Sequence, residues 1–147
     1  MNAPVARALS KASAGRFAEL HPDLQSVVKR AVELAPFGIN ISCGYRDEKA
    51  QQIALMEGKS NAAFGKSYHN VMPSLAVDME PLNDRGGIDW NSNDPEWDTL
   101  ANVMRQAALD VGVEIEWGGL FKKPVDKPHF QLGKNHPAVV AWKSTRV

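Results

Sequence analysis

Residues 94–112, DPEWDTLANVMRQAALDVG, have almost no alternative to an amphipathic helix. Asp94 is placed to cap it, and Pro95 suits the first helical position, where the N–H it lacks has no intrahelical partner anyway. Leu100, Val103, Met104, Ala107, Ala108 and Val111 recur at the spacing that lines one side of a helix, and Gly112 ends the run. Such a stripe must be buried, so the rest of the chain has to supply a layer for it.

The layer is legible as short alternating segments. In LAVDMEP, Leu75, Val77 and Met79 point one way while Ala76, Asp78 and Glu80 point the other, because strand side chains alternate. GINISCGY, VEIEWG and KPHFQLG read as further strands. HPDLQSVVKRAVELAPFG is a first amphipathic helix, with Asp23 available as its cap and Pro36 ending it, and RDEKAQQIALMEG is another, stopped by Gly58. Residues 59–74 read as a long loop. The expected fold is α+β: one domain over 1–147, with helices packed against a small antiparallel sheet, a loose arm at 1–19 and a tail at 133–147.

Composition excludes more than it suggests. Lys plus Arg and Asp plus Glu number 17 each, so no net basic field draws the chain to nucleic acid or to an anionic membrane. The basic C-terminal end, Lys134, Lys143 and Arg146, reads as a solvated tail. Cys43 is the single cysteine and cannot form an internal disulfide, which points to synthesis in a reducing compartment. It reads as a small buried strand residue. No run approaches the roughly 18 apolar residues of a spanning helix, and MNAPVARALSKAS lacks the apolar region of a signal peptide.

Chemistry concentrates on the polar faces of two strands. Asp78 leaves LAVDMEP on its polar side, and His129 and Gln131 leave PHFQL on theirs, while His69 sits in the loop feeding the first strand. Two imidazoles and one carboxylate are a set typical of catalytic zinc, which keeps a fourth position for water or substrate. A closed, sulfur-rich site is impossible with one cysteine. Hydrolysis also needs a base; Asp126, three residues before His129 and stiffened by Pro128, fits that role, with Glu116 as the competing carboxylate. His21 and His136 each precede a proline outside the alternation and read as turn residues.

Four blocks in order, SCGYRDEKAQQIALMEGKS, SYHNVMPSLAVDMEP, VEIEWGG and DKPHFQL, resemble the zinc peptidases that include bacterial D-alanyl-D-alanine carboxypeptidases and the L-alanyl-D-glutamate endopeptidases of phage endolysins. The resemblance spans about residues 20–132. It rests on Ser67, His69, Ala76, Asp78, Asp126 and His129, and implies Zn2+ held by His69, Asp78 and His129 with Asp126 as catalytic base. Arg46 in GYRD matches a family arginine suited to an oxyanion or a substrate carboxylate, the alternative being a surface arginine paired with Asp47 or Glu48. Ser67 matches a substrate-binding position, the alternative being a turn residue.

Two departures stand out. The interval from His69 to Asp78 is nine residues and contains MPS, where the commoner form has seven and a glycine, so it reads as an enlarged loop. WGGLF carries Leu120 and Phe121 where endolysin relatives often have an aspartate and a tryptophan. The resemblance implies a monomeric zinc-dependent L-alanyl-D-glutamate peptidase acting on the stem peptide of bacterial peptidoglycan. It would have no nucleic-acid partner or membrane anchor, would accumulate in the host cytoplasm, and would reach the wall after holin release. A D-alanyl-D-alanine carboxypeptidase and an inactive zinc-binding wall module are the alternatives.

Overall fold

The computed structural model describes residues 9–91, 93–122 and 125–145. Helices α1 (Lys11–Phe17) and α2 (Pro22–Leu34) lead into strand β1 (Ile39–Cys43), and helix α3 (Glu48–Met56) and a long loop lead to β2 (Ala76–Pro81). Helix α4 (Pro95–Val111), strands β3 (Ile115–Trp117) and β4 (His129–Leu132), and helix α5 (Pro137–Thr145) complete the order. The strands form one sheet in the order β1-β2-β4-β3, with every neighbouring pair antiparallel. This is the expected α+β architecture.

Alternation gives that sheet two unlike faces. Ile39, Ile41, Val77, Met79, Phe130 and Leu132 are buried together with Leu24, Val27 and Val28 of α2 and Leu100 and Met104 of α4. The stripe on α4 therefore finds its layer, and truncating Leu100 or Met104 to alanine costs about 2–5 kcal/mol, since each is fully buried. Asp94 and Pro95 start α4 as the sequence indicates, although the Asp94 side chain makes no capping bond. Gly112 ends it in the left-handed conformation, at φ 73°, which glycine adopts without steric cost.

The opposite face is polar. Register sets Asn40 opposite Glu80, Asp78 opposite His129, and Gln131 opposite both Ala76 and Glu116. A register shift between Ile41 and Cys43 brings Cys43 opposite Asp78. Cys43 is only partly buried there, because it ends an edge strand, and this corrects the expectation of a buried residue.

The ends of the described chain are more engaged than an arm and a tail. α1 covers the edge strand β1: Ser13, fully buried, accepts the Ile41 N–H at 2.8 Å, and Arg16 donates to the Ile41 carbonyl at 3.0 Å. Those bonds satisfy an otherwise open sheet edge. In α5, Val139 is fully buried, and the Trp142 ring meets Tyr68 edge-on at 5.1 Å. Residues 1–8 of the expected arm and Arg146 lie outside the described residues. The cap of α2 is His21, two residues earlier than expected: its Nδ1 accepts the Asp23 N–H at 3.1 Å. His136 does the same for Ala138 at the start of α5, so both histidines cap helices and are not turn residues. No helix among the described residues is long and apolar enough to cross a membrane.

Candidate metal centre

The enlarged loop and β2 deliver His69 and Asp78 to one point. Ser67 starts the short turn Tyr68–Asn70 by accepting the His69 N–H at 3.2 Å, and the buried Asn70 closes the turn from the other side. The loop between them is stitched to the body of the protein. Buried Ser74 donates to the Gly44 carbonyl, its backbone bonds Glu19 and His21, and the Met72–Pro73 bond is cis. What reads in the sequence as an insertion thus fastens the loop to the junction between α1 and α2.

β4 lies beside β2, and the pairing of Asp78 with His129 does the rest. His69 Nε2 and His129 Nδ1 each lie 3.2 Å from the same oxygen, Asp78 Oδ1, and the two rings meet edge-on with centroids 5.1 Å apart. For a tetrahedral ion with bonds of about 2.0–2.1 Å, ligand atoms stand about 3.3 Å apart, so these two separations each suit one edge of such a site, while the two histidines fall in separate clusters that share Asp78, His69 with Cys43 and His129 with Asp126. The back of each ring is occupied: His69 Nδ1 donates to the Gly44 carbonyl at 2.7 Å, and His129 Nε2 lies 2.8 Å from Gln131 Oε1. Carbonyl acceptors behind the rings leave the front nitrogens free to bind metal.

Electrostatics follow from this crowding. Burial disfavours charge on Asp78, but His69 and His129 hold its carboxyl well below the usual range. Burial likewise opposes a charged His69, yet the Asp78 charge and hydrogen bond, with help from Cys43, raise it to about 10. The two groups form an ion pair when no cation competes for them.

Asp126 joins the group from the loop before β4. Its Oδ2 is 4.0 Å from His129 Nδ1, and burial, reinforced by the charge of Asp78, raises its carboxyl above the ordinary value. Gly118 makes the approach possible. The Asp126 N–H bonds the Gly118 carbonyl at 2.8 Å, and a Cβ at Gly118 would collide with the Asp126 backbone. That contact is a physical reason for glycine in WGG. The competing carboxylate, Glu116, has both oxygens engaged elsewhere, by Gln131 and by the Lys134 N–H.

Arg46 approaches from the α3 side, with Nη2 3.7 Å from Asp78 Oδ2 and Nη1 donating to the fully buried Gln51 at 3.0 Å. The pairing with Asp47 or Glu48 is not formed, and Asp47 instead caps α3. These groups line a cleft of about 830 Å3, together with Ser67, Lys59, Trp90 and Phe121. Phe121 packs beside His129 at 5.7 Å, so one of the two departures in WGGLF meets the centre while Leu120 is exposed. Trp90 and Lys59 escaped the sequence argument, since both lie in stretches without periodicity. Gln131 was visible by parity but had no assigned role.

Comparison with known proteins agrees with this geometry. The pattern describing phage L-alanyl-D-glutamate peptidases matches residues 5–133, which brings α1 inside the family's extent. The chain is 32% identical over 114 residues to the L-alanyl-D-glutamate peptidase of Escherichia phage T5, covering 74% of this chain and 77% of that protein. It is 26% identical over 128 residues to the peptidoglycan L-alanyl-D-glutamate endopeptidase CwlK of Bacillus subtilis, covering 80% and 75%. The crystal structure of the Serratia marcescens L-Ala D-Glu endopeptidase ChiX superposes with a TM-score of 0.73 at 29% identity, covering 86% of this chain and 91% of that one. The chain therefore belongs to the phage L-alanyl-D-glutamate peptidase family.

Proposed function

We propose that the protein is a zinc-dependent endopeptidase of bacterial peptidoglycan that cuts the stem peptide between L-alanine and D-glutamate, serving as a phage endolysin. The observation that carries the metal part is the convergence of His69 Nε2 and His129 Nδ1 on one oxygen of Asp78 at the floor of the cleft. Two nitrogens and one oxygen, each ring backed by an acceptor, suit zinc with an open position. The activities of these relatives support the choice of bond.

His69, Asp78 and His129 would hold the ion, which when bound supplies a water of lowered pKa and polarises the scissile carbonyl. The remaining work falls to the chain. Asp126, with a carboxyl already raised by burial, accepts a proton from the attacking water at Oδ2 and returns it to the leaving amine. Arg46, fixed by Gln51, offers permanent positive charge to the oxygen that becomes negative during attack. Ser67 stands at the cleft wall, where its hydroxyl reaches a substrate backbone. We place the protein in the host cytoplasm as a monomer that meets its substrate after holin release.

Digestion of purified peptidoglycan followed by mass spectrometry tests the proposal. Zinc-loaded protein should create new amino termini at D-glutamate, and a chelator should stop it. Release of terminal D-alanine would instead identify a carboxypeptidase, and no release of peptide would leave only a binding module.

A further inference from the structure

The two rings of the centre present different nitrogens to Asp78: His69 uses Nε2 and His129 uses Nδ1. A neutral imidazole carries one proton, so each ring must keep it on the far nitrogen to leave the near one able to bind metal. For His69 the acceptor that holds this proton is backbone, the Gly44 carbonyl. For His129 it is a side chain, Gln131, and a glutamine amide has two ends. Turned around, it would offer N–H to Nε2, drive the ring proton to Nδ1 and block the side that faces Asp78.

Glu116 prevents the turn. Gln131 Nε2 donates to Glu116 Oε1 at 2.9 Å, and an ionised carboxylate only accepts, so the amide oxygen is left to face His129. Glu116 is itself held by the Lys134 N–H on Oε2 at 3.2 Å. The register that sets Gln131 opposite Glu116 builds the connection into the sheet. We infer that Glu116 and Gln131 are positioning residues for metal capture, forming a one-way hydrogen-bond chain that keeps the Nδ1 lone pair of His129 turned toward the cleft. The inference rests on the metal reading of the site and is independent of which bond is cut.

Partners of this kind are worth about 10–100-fold in metal affinity. Gln131→Leu keeps most of the volume and removes both bonds, so zinc affinity, read by competition with a coloured chelator, should fall by about that factor. Glu116→Leu should weaken binding less, and the double variant should bind no more weakly than Gln131→Leu alone, because Glu116 acts through Gln131. Glu116→Gln can still accept from Gln131 and should restore most of the affinity. In nitrogen-resolved NMR of the zinc-free protein, the His129 Nε2 proton should be protected from exchange in the parent and in Glu116→Gln, and exposed in Gln131→Leu. Parent-like zinc affinity in a folded Gln131→Leu protein, or fully additive losses in the double variant, would overturn the inference alone. A parent protein that takes up no zinc would overturn the metal reading and this inference with it.

Discussion

Two histidine pairs in this molecule are each gathered around one aspartate. At the floor of the cleft, His69 and His129 meet Asp78; on the surface between α2 and α5, His21 and His136 meet Asp23. The residue types are identical and the ring contacts are nearly so, with edge-on centroids 5.1 Å apart in one and 5.2 Å in the other. The difference lies behind the rings. In the cleft, acceptors stand at the back of each imidazole, so a neutral ring can keep its one proton there and leave the nitrogen facing Asp78 without one. On the surface, His21 Nδ1 and His136 Nδ1 accept backbone N–H groups from Asp23 and Ala138, which puts the neutral ring's proton on Nε2. His136 Nε2 then donates to Asp23 Oδ2 at 2.7 Å. The first is the set proposed to hold a cation; the second ties two helix starts together.

The largest expected effect separates the sets directly. Metal analysis after dialysis should give one zinc per chain and not two. Asp78→Ala should abolish retention and activity, exceeding the roughly 10–100-fold cost of losing a supporting hydrogen bond, whereas Asp23→Ala should keep its one zinc. Zinc retained by Asp78→Ala and lost from Asp23→Ala would reverse the assignment. Next in size is Asp126→Asn, which removes the proposed base but none of the three proposed ligands. Its kcat should drop about 10²–10⁴-fold with the zinc content unchanged. A variant that loses metal as well would make Asp126 a fourth ligand.

The same comparison shows what a sequence can carry. Asp78, His129 and Gln131 share a face because period-2 alternation is a local property, and parity alone places them correctly. His69 comes from an aperiodic loop, and nothing local says where that loop ends up; its place just before the first strand made it a candidate, and the ordered motif blocks are what strengthen the proposed role. The helix over 95–111 was legible to its first and last residues, since cap, proline and glycine all agree there. α1 and α5 were not, because what recruits them is an open strand edge and the ring of Tyr68, both made by the tertiary fold. His21 and His136 were misread for a related reason. A histidine before proline is a poor capping signal, and the bond that joins the two caps, His136 to Asp23, spans 113 residues of chain.

The smallest effects belong to the surface set and concern stability. Removing one helix-cap acceptor costs about 1 kcal/mol, so His136→Ala and His21→Ala should each lower the unfolding midpoint modestly, with zinc content unaffected. The cap also has a pH signature. Burial lowers the His21 pKa below its ordinary 6.5, with His136 adding to the shift and Asp23 opposing it. The unfolded chain therefore binds a proton there more readily than the folded one, and stability should be fully present above pH 6.5 and decline as pH falls through the folded value. Protonation also consumes the Nδ1 lone pair that accepts the Asp23 N–H, and it sets positive charge at a helix N-terminus, where the dipole disfavours it. His21→Asn keeps a capping oxygen that does not titrate. Denaturant melts of the zinc-free protein below pH 6.5 should show a shallower acid decline for that variant than for the parent. Parallel declines would mean that the acid sensitivity arises elsewhere, and that the His21 ring is a cap without being a proton sensor.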